Sequence, residues 1–212
     1  MELESWEQKF EQRIRQNGKV DPAHDILHIK RVVQNARHIA SREGARLEIV
    51  IPSAWLHDLV ILPKNDPGRS KASALAAAAA IEYLRSEGYP EALIPKIQHC
   101  IEAHSFSAGI APESLEAKVV QDADRLDAIG AFGIARCFST GARLDQPFYE
   151  QEDPFAERRR LNDEKYSLDH FKVKLFPIVE TLNTETGKAE GNRRSQFLKQ
   201  FVAELRAELR ST

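Results

Sequence analysis

His57 and Asp58 stand side by side at the end of an apolar stretch, AWLHDLV, where an imidazole and a carboxylate can both turn toward one cation. Two further candidate ligands lie where helical periodicity aims side chains inward: His28 in DILHIKRV and Asp124 in VVQDADRLDAIG. Together they form a His, His-Asp, Asp set suited to a divalent metal. Imidazole and carboxylate ligands without thiolate favour an octahedral site for manganese, iron, cobalt, nickel or magnesium over a closed tetrahedral zinc. Four protein ligands on an octahedral ion leave two open positions, and open positions are what a metal needs to acidify a water and polarise a phosphoryl oxygen.

The elements that must position these groups are helices. In a helix over about 24–40, His28 falls on the stripe of Val32, Ala36 and Ile39 that should face the core. A lone histidine on such a stripe is ordinarily a hydrogen-bonded core residue. Asp58 follows a helix interior of Val50, Ile51, Ala54 and Trp55, at a position where an unpaired charge would cost several kcal/mol or be neutralised by protonation. Farther on, Val120, Asp124, Asp127 and Ala131 share one stripe, with Ala123, Ala128, Gly130 and Gly133 permitting close helix approach. One cation answers these demands together, whereas separate buried ion pairs would require cationic partners that are scarce nearby.

Helical spacing of apolar residues recurs along nearly the whole chain, and no alternating β-branched run interrupts it, so the expected fold is all-α. Breakers divide it at Gly18 and Pro22, Gly44, Pro52, the segment from Pro63 to Gly68, Gly88 and Pro90, Gly109 and Pro112, and from Gly141 to Pro147. The polar region from Gly141 to Leu161 is predicted to be a long ordered loop. Leu168 to Leu182 and Arg193 to Leu209 are predicted to be two closing helices, with Phe197, Phe201, Leu205 and Leu209 stacked on one face of the second. The alanine run from Ala74 reads as a closely packed helix. At 212 residues the chain is expected to be one domain, with a metal-binding core over about 20–140 and closing helices over about 165–210.

Bulk properties narrow the partners. A formal charge of −2 and a pI near 6.4 give no global field for nucleic acid or an anionic membrane, so phosphate recognition must be local. Cys100 and Cys137 are too few for a disulfide framework and fit a reducing compartment. With no apolar leader at the charged N-terminus and no spanning apolar run, the expectation is a soluble cytoplasmic protein.

The ordered set His28, His57-Asp58, Asp124 resembles the HD-domain metal-dependent phosphohydrolase superfamily. Its surroundings AHDILHIKRV, LHDLV, EAHSFS, EAKVVQDADRLDAIGAFGIAR and EDPF look like the bacterial and yeast HD branch related to nucleoside triphosphate pyrophosphohydrolases. The likeness runs over nearly the whole chain. It implies a single HD-type helical fold in which His28, His57, Asp58 and Asp124 hold one divalent ion, with manganese the first expectation. Asp124 is preferred to its neighbours because it completes the family's alanine-aspartate step, here Ala123-Asp124. Asp122 points roughly the opposite way and suits either a contact that supports the metal ligands or a cap, while Asp127 shares the face of Asp124 and could orient water or substrate. The segment near Gly191 lacks an alanine expected of close relatives, a departure that bears on C-terminal packing.

His104, in AHSFS, could be a helix-end cation facing the negative end of the dipole. The resemblance favours a second role, in which it holds a phosphate or assists proton transfer. Lys64, Arg69 and Lys71 follow the His-Asp pair in a loop past the site; singly they suit solvated surface, but together they could neutralise a polyphosphate. Ser73 could add a hydroxyl there, and Lys174 and Arg194 are weaker candidates that could simply serve the closing helices. The expected substrate is a nucleotide, cleaved as a triphosphate to monophosphate and pyrophosphate without an organic cofactor. A nucleoside monophosphatase, a guanosine tetraphosphate hydrolase and a nucleotide sensor without turnover are the alternatives. No P-loop, dinucleotide fingerprint or nucleophile elbow supports a kinase-type or covalent route.

Overall fold

The structure, a computed structural model, describes residues 2–16, 26–62 and 66–210. It is all-α, and no strand occurs among the described residues. The α-helices are α1 (Leu3–Gln16), α2 (Ile26–Glu43), α3 (Leu47–Leu56), α4 (Ala72–Ser86), α5 (Ile94–His104), α6 (Leu115–Asp127), α7 (Gly130–Arg143) and α8 (Glu185–Arg210). No helix among the described residues is long and apolar enough to cross a membrane. The chain divides into two compact units, 1–124 with 183–187, and 125–182 with 188–212.

The first unit is built around α3. Every residue from Ile49 to Leu56 is buried, because α1, α2, α4 and α5 all pack on this short apolar helix. Pro52 lies inside α3 rather than at a break. A proline there cannot donate to the carbonyl of Glu48 four residues back. The hydroxyl of Tyr89 donates to that oxygen instead, at 2.6 Å, so the helix continues through the proline. The alanine run does what its composition suggests: Ala76, Ala77 and Ala80 are fully buried in α4, which packs closely on α5.

In the second unit, Phe138 of α7 meets Phe148, Phe171 and Phe201, and Phe171 and Phe201 stack at 6.0 Å. The loop from 144 to 170 is ordered by its own polar groups. Asp153 accepts the backbone N–H groups of Glu157, Arg158 and Arg159, and Arg159 grips buried Asp169 through two hydrogen bonds of 2.6 and 2.7 Å.

The closing segments differ from the sequence expectation. Leu168 to Leu182 is no α-helix: a π-turn at Phe171–Leu175 gives way to a 3-10 turn at Pro177–Thr181, with Pro177 opening the latter. The final helix starts at Glu185 rather than Arg193 and runs through Gly187 and Gly191. Both glycines are packing requirements. A Cβ at Gly191 would stand 2.2 Å from the Leu182 side chain, and one at Gly187 would stand 2.4 Å from a carboxylate oxygen of Asp122. The predicted Phe197 stripe is also displaced, since Phe197 is 46% exposed while its neighbour Leu198 is fully buried.

Candidate metal centre

Four elements of the first unit bring the predicted ligands together. His28 comes from the first turn of α2, His57 closes α3 with Asp58 directly after it, and Asp124 comes from α6. His104, the last residue of α5, joins them. The Nε2 atom of His57 lies 3.4 Å from Asp58 Oδ2 and 3.9 Å from Asp124 Oδ1. His28 Nε2 lies 3.7 and 3.6 Å from the same two oxygens, and His104 Nε2 is 3.6 Å from the other Asp58 oxygen. Such separations are long for hydrogen bonds. They lie between the roughly 3.0 and 4.2 Å that separate adjacent and opposite ligand atoms about 2.1 Å from one octahedral ion.

The ring orientations have a local cause. Where α3 ends, His57 Nδ1–H donates to the carbonyl of Ala54 at 2.8 Å, which leaves Nε2 facing the carboxylates. That nitrogen is buried and has no hydrogen-bond partner. His104 repeats the device at the end of α5, its Nδ1–H donating to Ile101 O at 2.6 Å. An orphaned buried imidazole nitrogen beside two carboxylates fits a cation, and His28, His57 and Asp58 alone already converge closely enough to hold one.

The charges agree with the geometry. Burial opposes a charged His57, yet the Asp58 carboxylate beside it and Asp124 beyond overcome this and push its pKa up to about 9. Burial likewise opposes a charged Asp58, but the imidazoles of His57, His104 and His28 hold it well below the ordinary carboxylate range. The site therefore attracts positive charge. Among the described residues, imidazoles and not guanidinium or ammonium groups are the ion-pair partners of Asp58 and Asp124.

A sequence model of the HD domain matches residues 26–129, a span holding every residue of this cluster. YpgQ of Bacillus subtilis is 33% identical over 190 residues, which cover 88% of this chain and 84% of YpgQ. The chain belongs to the HD-domain phosphohydrolase superfamily. Solved structures agree with this HD assignment. The structure of B. subtilis YpgQ in complex with ADP superposes with a TM-score of 0.73 at 30% identity, covering 94% of this chain and 97% of that one. An HD-superfamily hydrolase from Bacillus thuringiensis gives a TM-score of 0.73 at 28% identity, covering 97% and 99%.

The remaining predicted residues divide. Lys64 lies outside the described residues. Arg69 and Lys71 open and close a 3-10 turn, Arg69 part-buried with Nη1 donating to Leu62 O at 3.4 Å and Lys71 exposed. This turn packs against a second one, Phe106–Ala108, which directly follows the His104 end of α5. Ser73, in the first turn of α4, is buried with its hydroxyl oxygen lacking a hydrogen-bond partner. Asp127 is buried at the end of α6 and ion-paired at 2.7 Å with Arg136, both in the second unit. Lys174 is exposed on the π-turn. Arg194 donates to Leu126 O and to Glu190, a structural use.

Three supporting groups escaped the sequence reading. Gln121 donates to the carbonyl of Ala103 at 2.7 Å, which ties α6 to the end of α5 beside His104. Asn35 donates to Ala123 O at 3.2 Å and ties α2 to α6 beside Asp124. Arg136 is the third. An amide on an otherwise buried helical stripe, as at Gln121, was the available signal. Asp122 does act as a cap: it accepts the backbone N–H groups of Asn183 and Thr184 and the Thr184 hydroxyl just before α8.

Proposed function

We propose that this HD-domain chain is a divalent-metal-dependent phosphohydrolase that cleaves nucleoside triphosphates to the monophosphate and pyrophosphate. The observation that carries the hydrolase reading is the buried Nε2 of His57, without a hydrogen bond, facing the carboxylates of Asp58 and Asp124. His28, His57, Asp58 and Asp124 would hold the ion, with manganese the first metal to test. When bound, a divalent ion supplies Lewis acidity to a phosphoryl group and acidifies water.

His104 has its Nδ1 proton committed to Ile101 O, so its Nε2 is the atom able to accept a proton or contact a phosphoryl oxygen. Arg69 and Lys71, with Lys64, would neutralise the non-reacting phosphates, and Ser73 would add a hydroxyl. Asp127, one turn beyond Asp124 on α6, is assigned to orienting water or substrate rather than to the ion. Nucleotide as the substrate class is supported by the ADP complex of YpgQ and by the branch-specific strings EAHSFS and EDPF.

The test is product identification across a nucleotide panel with added manganese. Pyrophosphate released as the first product from triphosphates supports the proposal. Orthophosphate from monophosphates would make the protein a nucleotidase, pyrophosphate from guanosine tetraphosphate would move it to alarmone hydrolysis, and stoichiometric binding without release would make it a sensor.

A further inference from the structure

A nucleotide substrate presents a flat aromatic base as well as phosphates, and the proposed function assigns residues only to the phosphates. The described part of the first unit contains six Phe, Trp and Tyr side chains. Trp6, Phe10, Tyr83 and Tyr89 pack on one another around α1, and Trp55 is buried. Phe106 is the most exposed of the six, at 59%. Exposure alone would mean little, since single exposed apolar side chains are common. Its position distinguishes it.

Phe106 is two residues past His104, so their Cα atoms are at most about 7 Å apart. It opens a 3-10 turn that Gly109 ends in a left-handed conformation at φ 65°, and that turn packs against the turn of Arg69 and Lys71. An exposed aromatic ring and a pair of cations are thus held on adjacent turns, beside the end of the helix that delivers His104. That pairing is chemically complementary to a nucleotide, whose phosphates need cations and whose base offers a π-face.

We propose that Phe106 is the base-stacking residue of this site. The inference rests on the nucleotide reading above and adds to it that recognition has two parts. Stacking accepts any base, so the platform confers a preference for nucleotides over base-free polyphosphates without strong selection among bases.

Calorimetric binding of ADP and of inorganic pyrophosphate to the manganese-loaded protein tests this. Phe106→Ala should weaken ADP roughly 5- to 30-fold and leave pyrophosphate unchanged, in keeping with the usual loss on removing one stacking ring. Phe106→Tyr, which restores the ring, should bind ADP like the wild type. Equal weakening of both ligands, unchanged ADP affinity in Phe106→Ala, failure of the tyrosine to restore binding, or a wild type that binds no ADP would each overturn the assignment. The two proposals fail separately: a wild type that binds ADP through Phe106 but hydrolyses no triphosphate would refute the hydrolase alone, whereas full pyrophosphohydrolase activity with unaltered ADP binding in Phe106→Ala would refute the stacking alone.

Discussion

Buried carboxylates are treated in two ways in this molecule. In the second unit, Asp127 is met by Arg136 at 2.7 Å, and Asp169 is met by both terminal nitrogens of Arg159 and by the N–H of Asn162. Those acids have their hydrogen bonds and their countercharge supplied by the chain. In the first unit, Asp58 and Asp124 face imidazole nitrogens at 3.4–3.9 Å, and one of those nitrogens has no hydrogen-bond partner. An acid closed by its own arginine gives the chain rigidity. An acid left open among histidine ring nitrogens keeps its binding capacity for something the chain does not contain.

The sharpest way to break this comparison is to make the same change in both regions. Asp58→Asn should lose metal and metal-dependent hydrolysis by more than roughly 100-fold, beyond the usual cost of removing a group that merely supports a ligand. Its metal-free fold should survive, because the imidazoles left behind can give up their charge where a guanidinium cannot. Asp169→Asn should do the reverse: normal metal content, but a loss of about 2–3 kcal/mol as buried charge-assisted hydrogen bonds to Arg159 are weakened. Metal analysis and thermal melts on both variants decide it. Normal metal content in Asp58→Asn, or in His57→Ala, would remove the basis for the site.

Asp124 and Asp127 sharpen the comparison within one helix. Asp124→Ala is expected to lose metal and turnover together. Asp127→Ala should retain most of its metal, melt at lower temperature because Arg136 loses its carboxylate, and turn over more slowly. Arg136→Ala supplies the control: if it reproduces the full Asp127→Ala kinetic defect, Asp127 acts through that ion pair alone. An empty site in Asp127→Ala with a loaded one in Asp124→Ala would shift the ligand by one helical turn.

How much of this was legible beforehand follows from the range of the interactions. His28, His57 and Asp58 could be read because acids and imidazoles on apolar helical stripes violate local expectation, and the violation is visible within a few residues. The all-α class followed from periodicity in the same way. The start of α8 was hidden because Gly187 and Gly191 look like breakers locally. They are dictated by Asp122, 65 positions away, and by Leu182 across a turn. Pro52 misled for the same reason, since the donor that rescues its helix is Tyr89. Arg136 lies on a different helix from Asp127, past the φ 76° turn at Gly130, so no helical spacing could pair them.

A smaller effect is expected from the cationic turn. Lys64→Ala with Arg69→Ala should raise KM or lower turnover by about 3- to 30-fold while metal content stays normal, as expected for groups that contact phosphates and not the ion. The loss should grow from mono- to triphosphate. Equal activity on every nucleotide tested would return these residues to ordinary solvated surface.

The smallest expected effect is on acid stability, and it separates the two treatments of carboxylates by pH. Hydrogen bonds from Arg193, opposed by burial and assisted by Arg194, hold Glu190 at about 2, while the N–H groups of Glu157 and Arg158 hold half-buried Asp153 at about 2. Both values are depressed below those of the unfolded chain. The stability they contribute is therefore present above the unfolded pKa near 4 and is lost as pH falls toward 2. Glu190→Gln and Asp153→Asn should each be less stable than the wild type at pH 7, with the difference shrinking progressively between about pH 4 and pH 2. Denaturant melts at pH 7 and pH 3 measure this directly. A deficit that is the same at both pH values would mean that side-chain shape, not ionised carboxylate, orders these segments.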